Sequence, residues 1–83
     1  MGSGSKTYGE GSVAIGYSNT AGTKDGTTLS GRGAVALGYL TTASKDYSFA
    51  GGYGSEATAN AAVAFGDHSE ASGNNSFAGG YYT

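Results

Sequence analysis

One five-residue pattern returns along this chain at a fixed interval too short for any single unit to own a core. It stands as Ser12-Val13-Ala14-Ile15-Gly16, Ala34-Val35-Ala36-Leu37-Gly38, Ser48-Phe49-Ala50-Gly51-Gly52, Ala62-Val63-Ala64-Phe65-Gly66 and Ser76-Phe77-Ala78-Gly79-Gly80. The last four copies begin 14 residues apart, and the first precedes them by 22, which is 14 plus an inserted 8. Five residues after each of the first four closing glycines stands an alanine: Ala21, Ala43, Ala57 and Ala71. A short fixed period of this kind marks a solenoid, where a unit buries its apolar side only by stacking on its neighbours.

The period decides a question that composition leaves open. Glycine makes up 17 of 83 residues, proline is absent and large aliphatic residues are scarce, a balance that on its own points to disorder. Yet charged residues are only 12% and the net charge is −2, so the self-repulsion of a disordered polyelectrolyte is missing. Four basic residues leave no electrostatic footprint for nucleic acid. Without cysteine there is no disulfide and no thiolate zinc site, and the redox compartment cannot be read. No apolar run approaches the roughly 20 residues of a membrane span, and no signal peptide opens the chain. Met1 to Ser5 reads as an expression scar, which marks the chain as a piece of something longer.

Fourteen residues suit two short strands and two tight turns per coil. Side chains of a strand alternate between its faces. One face therefore carries Val13, Ile15, Val35, Leu37, Phe49, Val63, Phe65 and Phe77, while the other carries Ala14, Ala36, Ala50, Ala64 and Ala78. Alanine at every copy, beside neighbours that range from Gly to Phe, indicates a limit on space. These alanines, with Ala21, Ala43, Ala57 and Ala71 of the second strand, are expected to fill a narrow lumen between two strand layers. The larger apolar residues then form a stripe on the outside, which a soluble monomer avoids and other chains must cover. A closed cyclic assembly would bury it around its axis. Large and small also alternate along the stripe: Phe49 and Phe77 are followed by Gly51 and Gly79, and Phe65 by contrast follows Val63. The glycines that close each copy fit turns.

These runs, Ser-Val-Ala-Ile-Gly and Ala-Val-Ala-Leu-Gly with an alanine five residues on, resemble the head repeats of YadA-like trimeric autotransporter adhesins. The resemblance spans roughly residues 9 to 83. It departs from the family pattern in the Phe-Ala-Gly-Gly copies, which lack the second aliphatic residue, and in the insertion at 23–30. It implies an all-β fold, a left-handed parallel β-roll of about five 14-residue coils assembled as a trimer. Residues 1–7 would be a lead-in and residues 8–83 the roll, with the insertion as a loop.

Further candidates each have a functional and a plain reading. Tyr17, Tyr39, Tyr53 and Tyr81 follow the closing glycine, with Asp67 in the remaining copy, and would form a ladder near one turn. The ladder is either an aromatic surface for protein or glycan, or stacking that stiffens the turn. The insertion Thr23 to Ser30 should bulge from the roll with Asp25-Gly26 as its turn. Its Lys24 and Asp25 would then be displayed for recognition, or the loop is a neutral length variant or a cover over one end of the stack. His68 beside Asp67 and near Glu70 invites a metal or acid–base role, but with no second histidine a solvated turn is the better reading. Glycine pairs at 51–52 and 79–80 precede no helix pattern and are not phosphate loops. An ice-binding face would need a threonine ladder, and Thr20 and Thr42 give way to Glu56 and Glu70.

The expected function is a non-enzymatic head segment of a bacterial surface adhesin, a homotrimer with no cofactor and no metal. It would be extracellular, touch host matrix protein, glycan or a cell-surface receptor, and make no contact with nucleic acid or membrane. The alternative is a segment of a phage tail fibre, as stalk or receptor-binding tip.

Overall fold

Val-Ala-Ile-Gly-Tyr and its copies are rich in β-branched and aromatic residues on one face and methyl-sized on the other. They form five parallel strands that stack in register, each repeat on the next. The computed structural model describes residues 4–25 and 28–81, and of residues 24, 25 and 28–30 the backbone alone. Twelve strands are seen among the described residues, and no helix. Five long ones, β2 (Val13–Tyr17), β6 (Val35–Tyr39), β8 (Phe49–Tyr53), β10 (Val63–Asp67) and β12 (Phe77–Tyr81), make one sheet in the order β12-β10-β8-β6-β2. Five short ones make the opposite sheet: β1 (Lys6–Thr7), β3 (Thr20–Ala21), β7 (Thr42–Ala43), β9 (Glu56–Ala57) and β11 (Glu70–Ala71). One short and one long strand make a coil, so the chain is a β-solenoid of about five turns of roughly 14 residues. Lys6 and Thr7 pair with Thr20 and Ala21, so pairing begins inside the segment read from sequence as a lead-in.

The space between the sheets is lined by methyl groups. Ala14, Ala21, Ala34, Ala36, Ala43, Ala50, Ala57, Ala62, Ala64 and Ala71 are all buried, and Ala78 of the last coil packs partly buried against them. In the long sheet the alanines form one column, Ala14 beside Ala36, Ala50, Ala64 and Ala78. Large residues stay outside because the sheets approach too closely to admit them.

Each coil closes through two residues with positive φ. At the end of the long strand they are Ser18, Leu40, Gly54 and His68; on the opposite side they are Gly11, Gly33, Tyr47, Ala61 and Asn75. The conformation turns their N–H groups onto the coil before: Leu40, Gly54 and His68 donate to the carbonyls of Tyr17, Tyr39 and Tyr53 at 2.7–2.9 Å. Tyr47, Ala61 and Asn75 donate likewise to Arg32, Asp46 and Asn60 at 2.7–3.0 Å. The turns thus lie one residue beyond the tyrosines. The repeat glycine and its tyrosine, read from sequence as turn residues, are the last two residues of the long strand.

A Cβ in this left-handed region costs roughly 1–2 kcal/mol for an ordinary residue. Ala61, at φ 56°, has no side-chain hydrogen bond to compensate. Ala61→Gly should therefore stabilise the fold by about 1 kcal/mol or less, once the greater freedom of glycine in the unfolded chain is set against the relief. Thermal melts of the two proteins check this, and a clear fall for the glycine variant would show that the Ala61 methyl packs usefully.

A second column is polar and buried. Asn19, Thr41, Ser55 and Ser69 head the short strands and are shielded from solvent, with Ser5 before them. Their side chains reach across to the next coil: Ser5 Oγ donates to Gly16 O at 3.3 Å, Asn19 Nδ2 to Gly38 O at 2.8 Å, Ser55 Oγ to Gly66 O at 2.7 Å and Ser69 Oγ to Gly80 O at 3.0 Å. Asn19 does most. Its Nδ2 also donates to Ile15 O at 2.6 Å, and its Oδ1 accepts from Thr41 N at 2.9 Å and Thr41 Oγ1 at 2.7 Å. No buried side-chain nitrogen or oxygen among the described residues lacks a partner.

The insertion is an antiparallel hairpin, β4 (Thr23–Asp25) with β5 (Thr28–Ser30), in which Asp25 pairs with Thr28. Gly26 and Thr27, the span that includes part of the expected Asp25-Gly26 turn, lie outside the described residues. Its two legs leave the roll at Gly22 and Gly31, both buried and both at φ 96°. A Cβ at Gly31 would land on the Gly22 Cα, so the legs cross at a distance only glycine permits.

Candidate functional site

The outer face of the long sheet carries the apolar stripe. Ile15 is 50% exposed, Phe65 54% and Phe77 72%, and Val13 is exposed beside them. Val35, Leu37, Phe49 and Val63, in the middle coils, are half-buried by their neighbours. Strand register places Val13, Val35, Phe49, Val63 and Phe77 in one column, and Ile15, Leu37, Gly51, Phe65 and Gly79 in the next. The alternation of large and small is resolved within the chain. Phe49 and Phe65 lie 5.9 Å apart, and a Cβ on Gly51 would sit 3.4 Å from both rings. The two phenyl rings thus roof the glycine between them.

Beside the stripe the tyrosines stack. Tyr17 and Tyr39 have ring centroids 5.0 Å apart and planes 10° from parallel; Tyr39 and Tyr53 are also 5.0 Å apart, at 4°. His68 continues the line, tilted by 52° at 5.3 Å from Tyr53. Asp67 occupies the next place in strand register, and Tyr81 follows it in the last strand, exposed. Because each ring faces the next, the ladder presents ring edges and hydroxyls to solvent. A sugar stacks on an open aromatic face, so this geometry favours stiffening of the coil stack over glycan binding by CH–π contact.

Asp67 Oδ1 lies 2.5 Å from His68 Nδ1, both exposed. Glu70 is exposed in the neighbouring strand, and among the described residues no group of three His, Cys, Asp or Glu could hold a metal ion. The Lys24 and Asp25 side chains lie outside what the structure describes; their backbone is in β4. A shallow groove lined by Thr7, Ser12, Val13, Ala14 and Ile15 opens at the first coil and contains no titratable group.

One charged contact was not anticipated from sequence. Asp46 Oδ1 accepts from the backbone N–H of Gly31 and of Arg32, each at 2.9 Å, and Oδ2 accepts from Arg32 Nη2 at 3.2 Å. It clamps the returning leg of the hairpin to the next coil. The same offset recurs where Asn60 N donates to Asn74 Oδ1 at 3.2 Å, so a period-14 Asx column was the available signal. The backbone N–H of Arg32, then that of Gly31, holds the Asp46 carboxyl below the usual carboxylate range. A carboxylate with a depressed folded value contributes stability above its unfolded value and loses it as pH falls through the folded one. Melting temperature should therefore fall in acid, and Asp46→Asn should flatten that part of the profile. An unchanged acid limb in Asp46→Asn would assign the acid sensitivity to other groups.

The sheets, the 14-residue register and the paired alanines can now be set beside known families. The family model of the YadA head domain repeat matches residues 1–19, 30–55 and 57–83. This chain belongs to that family. The only stretch of more than one residue that escapes the match, 20–29, holds β3, the outgoing hairpin leg and the first residues of β5. No curated protein and no solved structure matches the chain. In this YadA head repeat the alanine column faces inward, the bulky residues outward, and the closing glycine of each copy meets its counterpart in the next coil.

Proposed function

We propose that the chain is a non-enzymatic head segment of a trimeric autotransporter adhesin, displayed on a bacterial surface. The observation that carries this reading is the outer face of the long sheet, where Ile15, Phe65 and Phe77 stay half or more exposed in the single chain. A continuous apolar column over five coils needs a cover. Three copies arranged about an axis cover it with each other's equivalent faces, as the family membership supports. The short-strand face, with Thr20, Thr42, Glu56 and Glu70 outward, remains free for contact with matrix protein or a cell-surface receptor. Many rigid copies on one cell add avidity without a deep pocket.

Light scattering coupled to size exclusion should report three chain masses. Phe65→Ala removes a ring that roofs Gly51 and faces Gly79 in register, leaving a void that neither glycine can fill. Truncating a packed phenylalanine costs roughly 3–5 kcal/mol, repeated in each subunit, so this variant should dissociate or melt early. Tyr53→Ala should keep the parent mass. A folded monomer for the parent, or a greater loss from Tyr53→Ala, would overturn the assignment of the axial face. Adhesion is tested separately, by binding of the intact trimer to immobilised matrix proteins and to cells.

A further inference from the structure

We propose that Tyr17, Tyr39 and Tyr53 form a site of oxidative cross-linking, at which adjacent coils become joined by a carbon–carbon bond between tyrosine rings. Three observations lead there. The rings are stacked with centroids 5.0 Å apart and planes within 10° of parallel by the strand register, so each ring lies beside its counterpart in the next coil. All three are open to solvent, with 49%, 42% and 46% of their surface exposed, and their ring edges point outward. Finally, the chain offers an oxidant few other targets: it has no cysteine and no tryptophan, a single methionine, and seven tyrosines. The sulfur groups that normally intercept oxidants first are almost absent.

The chemistry takes a peroxide acting through a haem peroxidase, or an equivalent one-electron oxidant. Each of two neighbouring phenols loses one electron and one proton and becomes a phenoxyl radical. The two radicals join at ring carbons ortho to oxygen, and the hydrogen on each of those carbons then moves to the oxygen, restoring two phenols. The two electrons and two protons reduce one peroxide, whose O–O bond breaks to give two waters. The product is a biphenol, lighter than the parent by two hydrogen atoms. Stacked geometry favours this coupling because radicals formed on adjacent rungs already sit in contact, whereas radicals on separate chains must meet by diffusion.

Position sets the consequence. A bond from Tyr17 to Tyr39 closes the loop that contains the hairpin, and one from Tyr39 to Tyr53 joins the next two coils. Either removes freedom from the unfolded chain, as any covalent closure of a loop does. Asp67 interrupts the column before Tyr81, which confines the site to three rungs.

The folded full chain, treated with hydrogen peroxide and a haem peroxidase, should acquire biphenol fluorescence while its chains still run singly under denaturing conditions. Tandem mass spectrometry of the digest should place the links between 17 and 39 or 39 and 53, and the linked protein should melt at higher temperature. Tyr39→Phe keeps the stack of rings but removes the phenol shared by both pairs, and should abolish the intrachain product. The parent chain unfolded in denaturant before treatment should lose the site preference. Links that join different chains, or that fall mainly on Tyr8, Tyr47 or Tyr81, would overturn the proposal. So would an undiminished yield in Tyr39→Phe. None of these outcomes depends on whether the chain is an adhesin.

Discussion

Gly52→Ala should unfold this protein or lower its melting temperature sharply. Gly52 lies at φ 105° in the last turn-ward step of β8, where a residue with a Cβ is strained. The added carbon would also be driven onto the carbonyl oxygen of Gly66, its counterpart in the next coil. The same collision awaits at Gly16 against Gly38, Gly38 against Gly52, and Gly66 against Gly80. These are backbone atoms of strands paired in the sheet, so the obstacle cannot rotate away. Strain and collision together should cost roughly 3 kcal/mol or more in each chain. Gly73→Ala is the control: its Cβ would meet only Ser76 at 3.7–3.8 Å, an ordinary contact, in an exposed turn. That variant should be neutral or slightly more stable. Equal melting temperatures for Gly52→Ala and the parent would mean that the coils can separate locally without loss.

The second large effect is expected at Asn19, through hydrogen bonding and not through volume. Asn19→Ala leaves the Thr41 N–H and hydroxyl without their acceptor in a place closed to water, and removes the amide that reaches the Gly38 carbonyl. Each buried group so orphaned costs about 1–3 kcal/mol, giving roughly 2–5 kcal/mol in all. Asn19→Ser should recover part of this, because Ser55 and Ser69 reach the corresponding glycine carbonyls with a single hydroxyl. Chemical denaturation of the parent and both variants gives the ranking. If serine were no better than alanine, the bond to the glycine carbonyl would carry little of the stability, and the bonds to Thr41 most of it.

Much of the architecture is legible in the sequence because period and residue size report it directly. The spacing of 14 gives the coil, and five copies give about five turns. The inward column shows itself by constancy: Ala36, Ala50 and Ala64 never change while their flanking residues do. What stays hidden are features that no residue type announces. Leu40, Tyr47 and Ala61 adopt a left-handed conformation that their side chains disfavour, because the hydrogen bond to the previous coil outweighs the local cost. The Asn19, Thr41, Ser55 and Ser69 column is built of residues that read as loop, and only their spacing distinguishes them. Lys6 and Thr7 carry a threonine where other coils have alanine, which disguises β1. The glycine before each tyrosine of the ladder suggests a turn. In the fold that glycine belongs to the strand, and the strand runs on by one residue.

The crossing of Gly22 and Gly31 lets the hairpin leave and rejoin the roll at one place. The two legs touch at these two bare glycines, and beyond them the chain rejoins the repeat in register, with Val35 beside Val13 and Val35 beside Phe49. Thr23 Oγ1, just past the crossing, donates to the Ser44 carbonyl at 2.8 Å, so the root of the outgoing leg is tied to the coil while the repeat keeps its register. The Asp46 carboxylate grips the returning leg just after the crossing, so the far side of the join is fixed as well. Since closing a longer loop adds little entropy per residue, the position is a natural splice point, where segments of different length and chemistry can be exchanged while the rod beneath keeps its pitch.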